Sequence, residues 1–138
     1  MQIETRTTLR NLVAAMIAVN NYPIHKAVEI TSAEKQLGWV NQGRILNPLP
    51  TAFEIKTQIM QSGYDRGDYV ALLLGQRIHC CLGCIQEKGY SGFFALISES
   101  QNAASQELPK LPGVGPKVTK NFIELQFDPK QEPNIASQ

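Results

Sequence analysis

The run Leu108-Pro109-Lys110-Leu111-Pro112-Gly113-Val114-Gly115-Pro116-Lys117-Val118 gathers residue types suited to holding a phosphate. Gly113 and Gly115 are expected to take positive φ angles in a tight turn, so that bare backbone can approach a ligand closely. Val114, between them, is expected to turn inward between two helices. Pro116 fits the first position of a helix, where its missing N–H costs nothing. The expected product is a helix, a hairpin of exposed amides, and a second helix whose positive end faces outward. Lys110, Lys117, Lys120 and Lys130 surround this corner, four lysines against Glu124 and Asp128 over residues 108–130. Neutralising a phosphate is the simplest role for Lys117. A plain turn between packed helices and a protein contact are the competing readings of the same residues.

His79, Cys80, Cys81 and Cys84 form the other cluster with reactive side chains, and Cys-x-x-Cys is a common half-site for zinc. On one helix, positions 79, 80 and 81 spread over about 200°, so they do not converge on one tetrahedron, and a second such half is lacking. No metal and no cofactor is expected, and the thiols are read as small buried apolar groups. Trp39 is read as a core anchor, and His25 with Glu29 four positions on as an ordinary surface pair.

The elements that must position these residues read as helices. Leu9, Leu12, Val13, Met16 and Ile17 recur at helical spacing, with Thr7 or Thr8 available as N-cap and Asn20, Asn21 and Pro23 closing the stretch, so an amphipathic helix is predicted. A second helix is predicted to begin at His25 or Lys26, and residues 38–50 read as a connection with little regular structure. Thr51 and Glu54 have the form of a capping box before a helix that buries Ala52, Ile55, Ile59 and Met60 and ends at Gly63. Residues 69–86 predict a long helix with Val70, Leu73, Leu74, Ile78, Leu82 and Ile85 on its recurrent face, weakened by Gly75 and Gly83. A short apolar cluster at Phe93, Phe94, Leu96 and Ile97 precedes the mostly polar residues 98–106. Residues 116–127, with Val118, Phe122, Ile123 and Leu125, predict the last helix.

No strand-period alternation of useful length occurs, so the expected fold is all-α, a compact multi-helix domain over residues 1–127 followed by a flexible tail, 128–138. The length of 138 residues suits one domain, and 43% hydrophobic against 18% charged residues argues against a disordered chain. A net charge of +1 advertises neither nucleic acid nor an anionic membrane, so any such binding must come from a local patch. The longest apolar strip, residues 12–19, is too short for a membrane span, and the first ten residues do not read as a secretory signal. Three clustered cysteines make no disulfide framework. The expected location is intracellular, cytoplasmic or nucleoid-associated.

Residues 111–117 resemble the Leu-Pro-Gly-Val-Gly-x-Lys signature of the helix-hairpin-helix family, and within it the DNA glycosylase superfamily of endonuclease III and 8-oxoguanine glycosylase. The resemblance extends upstream more weakly, residues 12–26 being similar to the first long helix of that fold and residues 50–82 to its stretch with a Gly-Tyr turn before a long helix. It implies double-stranded DNA as the partner, its backbone phosphates held by Gly113, Val114, Gly115, Lys110, Lys117 and Lys120. Asn20, Asn21 and Tyr22 fall where related enzymes place a residue that fills the gap left by a rotated base, and Tyr64 is a looser candidate for that role. Lys117 occupies the place of the nucleophile of bifunctional members. There a neutral amine attacks C1′ of a deoxyribose, giving a Schiff base that allows β-elimination of the 3′ phosphate; burial against the sugar and the nearby Lys120 would favour the neutral form.

The family's aspartate is expected about 18 to 20 residues beyond that lysine, an interval that here holds Ile135, Ala136 and Ser137. Glu124 and Asp128 are the nearest alternatives. With no sequence for the helices that follow, no iron–sulfur cluster is expected either. Three functions stay open: a base-excision-repair glycosylase or abasic-site lyase using Lys117, a non-catalytic DNA-binding module, and a protein-interaction domain. A separately encoded protein partner that completes the fold is a further expectation.

Overall fold

A computed structural model describes residues 2–33, 37–41 and 48–128. The fold is all-α: α1 (Gln2–Ile17), α2 (Ile24–Thr31), α3 (Gly38–Asn41), α4 (Ala52–Gln61), α5 (Asp68–Lys88), α6 (Tyr90–Glu99), α7 (Gln101–Glu107), a 3-10 turn (Leu108–Lys110) and α8 (Pro116–Phe127). None of the described helices is long and apolar enough to cross a membrane. The tail from residue 129 onward, including Lys130, lies outside the described residues, as does the stretch 42–47 of the expected connection.

The helix α1 is the axis of the assembly, touching α2, α3, α5, α6 and α8. Every residue from Asn11 to Ala18 is buried, so this half of the helix is covered on all sides rather than amphipathic as the spacing predicts. Ala14 and Ala15 are the reason: their small side chains let neighbours close on faces that a two-sided pattern would leave to water. Nor do Thr7 and Thr8 cap it, because the helix starts at Gln2 and runs through both. Thr8 is buried and accepts a hydrogen bond from Gln126 Nε2 (3.3 Å), while Asn11 Nδ2 donates to Gln126 Oε1 (2.9 Å). These polar ties set the register of α1 against α8.

Local sequence rules hold at the start of α4. The Thr51 hydroxyl accepts from Glu54 N (3.1 Å) and the Glu54 carboxylate accepts from Thr51 N (2.8 Å), the reciprocal capping box. Ile55 and Ile59 are buried, and Gly63, at φ 115°, ends the segment. The following α5 buries Ala71, Leu74, Gly75, Ile78, Cys81, Leu82 and Ile85, a stripe at helical spacing. Val70 is 39% exposed and Leu73 half-buried, so the predicted face is rotated. Gly75 causes the rotation: it lies where α4 crosses, and a Cβ there would run into the Ala52 carbonyl. The glycine that weakens the helix is its contact point with α4.

One further expectation changes, that of an irregular connection over residues 38–50. Residues 38–41 are helical, and Trp39, buried as expected of a core anchor, donates from Nε1 to Gln58 Oε1 (2.8 Å). The polar stretch after α6 is itself helical, because the Ser100 hydroxyl caps α7 by accepting from Ala103 N (3.0 Å) and Ala104 is buried. Phe93, Phe94 and Ile97 of α6 enter the core as the apolar cluster suggests, while Leu96 stays 37% exposed. The last helix, α8, begins at Pro116 and ends at Phe127, the bounds read from the sequence.

Candidate functional site

The corner between the 3-10 turn and α8 is built on two apolar anchors. Leu111 and Val114 are buried, and the Leu111 carbonyl accepts from Val114 N (3.3 Å), which folds the tip Pro112-Gly113 outward. Val114 therefore points into the core, as expected, and presents only its backbone to the outside. Gly113 takes φ 78°, in the left-handed region where a side chain is strained, and the space of its missing Cβ lies 3.3 Å from Arg77 Cβ. Gly115 corrects the expectation: its φ is −105° and ψ −165°, extended backbone that any residue before a proline adopts. A Cβ at Gly115 would meet nothing within 4 Å. Its carbonyl accepts from Thr119 N (3.0 Å) and Thr119 Oγ1 (2.9 Å), which starts α8. Among the described residues no acceptor takes the N–H of Gly113 or Gly115. The N–H groups of Lys117 and Val118 precede the first intrahelical bond of α8 and, like those of Gly113 and Gly115, have no acceptor among the described residues.

Beside the corner is a cleft of about 280 Å³, lined by Gly113, Gly115 and Lys117 together with Asn20 and Arg77. No carboxylate lines it. Lys117 and Arg77 are both exposed, and among the described residues neither has an acidic partner. Lys117 is thus not buried in the free protein. The arrangement can attract and hydrogen-bond an anion, by two cations and a set of free amides.

Asn20 is brought to this cleft by a sharp bend. Asn20 and Asn21 both adopt positive φ, 56° and 66°, which turns the chain sharply out of α1. Arg66 Nη1 donates to the Asn20 carbonyl (2.9 Å), and its guanidinium lies 5.1 Å from the Tyr22 ring centre. Tyr22 in turn packs on Tyr64, centroids 4.9 Å apart. Asn121, buried in α8, donates from Nδ2 to the carbonyls of Ala15 (3.2 Å) and Ala18 (2.7 Å). Tyr22 and Tyr64 are buried in this bend, and burial first, with Asp65 adding for both, pushes their phenols above the usual range. Both rings are thus covered by the protein's own packing, whereas Asn20 and Asn21 are exposed.

The structure thus brings Asn20, Gly113, Gly115 and Lys117 together and sets the other lysines apart. Lys110 faces Glu107 at 3.4 Å. Lys120, one turn on from Lys117, borders a different groove of about 470 Å³ with Pro109, Thr119, Ile123 and Glu124. Glu124 therefore lies outside the cleft of Lys117. Asp128 lies beyond Phe127, at the far end of α8 from Lys117. Arg77 is the residue that sequence reading misses. Nothing in its local pattern marks it, since it is one exposed position of α5 until the Gly113 tip packs against it.

The cysteine cluster disperses around α5. Cys81 is buried and its thiol is pushed up to about 12, by burial first and then by Cys84 and Cys80; Cys80 is exposed and Cys84 intermediate. His79 Nδ1–H donates to the Pro50 carbonyl (2.8 Å), an acceptor that fixes the tautomer. No group of three or more metal-ligating side chains occurs among the described residues. Compared with known proteins, the chain matches no family model, no curated protein and no solved structure.

Proposed function

We propose that this chain binds duplex DNA by its backbone phosphates at residues 111–117, as a member of the helix-hairpin-helix glycosylase superfamily that the signature resembles. The observation that supports it is Gly115: its N–H has no internal acceptor, its Cβ position is empty, and Lys117 stands beside it in a cleft without a carboxylate. The protein's own packing does not require a glycine there. Close approach of an outside group does. Asn20, which lines the same cleft, is the side chain available to meet the sugar or base next to the held phosphate.

In this reading the protein is a binding module that supplies affinity without base selection. Gly115→Ala tests it, because φ −105° accepts alanine and the added methyl meets nothing in the protein. The variant is expected to unfold like the wild type and to bind a labelled duplex at least several-fold more weakly in fluorescence anisotropy. Wild-type affinity in a normally folded Gly115→Ala protein refutes the proposal. Borohydride treatment with a duplex bearing one abasic site examines the enzymatic alternative: an imine between Lys117 Nζ and the sugar aldehyde, formed with loss of water, is reduced to a stable covalent adduct. With no carboxylate lining the cleft, no adduct is expected, and one lost in Lys117→Ala but kept in Lys120→Ala overturns the non-catalytic reading.

A further inference from the structure

We propose that Arg77 is a second phosphate-binding residue, holding the phosphate next to the one taken by Lys117 and the turn amides, on the same strand. The inference rests on the DNA-binding reading above and adds to it a residue from a different helix, which no motif contains. Arg77 leaves α5 where the tip of the turn touches it: the missing Cβ of Gly113 lies 3.3 Å from Arg77 Cβ and 3.6 Å from the Arg77 carbonyl. A side chain at position 113 would be wedged between turn and helix, so the glycine seats the corner directly against the base of this arginine. From there the arginine lines the same cleft as Lys117.

Two like charges bordering one cleft repel each other, and neither has an acidic partner among the described residues. Phosphates bound along the cleft offset that repulsion. The amides and the lysine lie together at residues 113–117 and suffice for the two free oxygens of one phosphodiester. A guanidinium carried by α5 has its own planar fork of donors, which matches a further phosphate bidentately. Lys110, already facing Glu107 at 3.4 Å, and Lys120, in the other groove, are less suited to that place.

Each phosphate contact steepens the fall of log K with log salt by about 0.9, equivalent to about eightfold in affinity at 0.1 M monovalent salt. The test is duplex binding by anisotropy across a salt series for the full chain and for Arg77→Gln, Arg77→Lys, Lys117→Gln and Lys88→Gln. Arg77→Gln is expected to weaken binding about eightfold at 0.1 M salt and to reduce the slope by about 0.9. Arg77→Lys keeps the slope and loses only part of the affinity, because charge remains and the fork does not. Lys88→Gln, at the last residue of α5, changes neither.

If Arg77→Gln retains wild-type affinity and slope while Lys117→Gln loses both, the role of Arg77 is refuted and the turn remains the DNA site. If neither variant changes binding, or the wild type binds no duplex, the DNA reading of the turn fails and Arg77 with it. Thermal melts of each variant separate lost contacts from lost fold; Arg77 is exposed, so its substitution is expected to leave the melt unchanged.

Discussion

Asn121→Ala removes a side chain that closes the end of α1. The carbonyls of Ala15 and Ala18 both accept from Asn121 Nδ2, at 3.2 and 2.7 Å, and among the described residues neither receives a backbone N–H. Val19 N, the usual partner of Ala15, is turned instead to the Ile17 carbonyl (2.9 Å) because the chain bends there. Ala15 and Ala18 are both buried, so water does not replace the lost donor. A buried polar group left unpaired costs about 1–3 kcal/mol. With two acceptors sharing one amide, and a small cavity added, the expected loss is about 2–4 kcal/mol, a large fraction of the roughly 5–15 kcal/mol a domain has. In urea, where such a domain loses about 1–3 kcal/mol per molar, the midpoint followed by circular dichroism should fall by roughly 1–2 M. Asn121→Asp, which offers acceptors where donors are needed, should fall at least as far at neutral pH. A midpoint shift equivalent to less than about 0.5 kcal/mol for Asn121→Ala would show that the bend does not depend on this amide, and the fixed position of Asn20 would lose its physical basis.

Two glycines of α5 should respond in opposite directions. Gly75→Ala drives a methyl into the Ala52 carbonyl and should destabilise by about 1–3 kcal/mol, whereas Gly83→Ala meets only Leu49 Cδ2 at 3.8 Å and should stabilise by up to about 1 kcal/mol through helix propensity; equal melting shifts would refute the close crossing of α4 on α5. Of the three thiols, Cys80 should react first with a disulfide reagent and Cys81 only after denaturation, so that rapid loss of all three in native buffer contradicts the packing of α5. Burial raises the Cys81 thiol from 9.0 to about 12, so the folded state keeps a proton that the unfolded chain releases. Its contribution to stability is complete below pH 9 and is lost as pH rises toward about 12, an alkaline decline that Cys81→Ala should flatten in melts taken across that range.

The features legible in the residues alone are those governed by near neighbours along the chain. Thr51 and Glu54 close their own box, Pro116 opens α8 because its ring fits a first turn, and Val114 turns inward after the left-handed turn at Gly113. The all-α fold follows from helical spacing and the lack of alternation. Where the outcome depends on what lies across space, the residues mislead or stay silent. Gly75 reads as a weak point of a helix and is the place another helix crosses; Ala14 and Ala15 read as filler and make α1 the buried axis. Gly115 reads as a strained glycine, yet its backbone is ordinary and only the empty space before it gives the residue meaning. Arg77, Asn20 and Lys117 come from three separate helices or bends, and nothing in their local sequence says that they share a cleft. Local sequence specifies backbone conformation because turns and caps are short-range energies. A site made by charges converging from distant segments exists only after packing has decided which exposed side chains face each other.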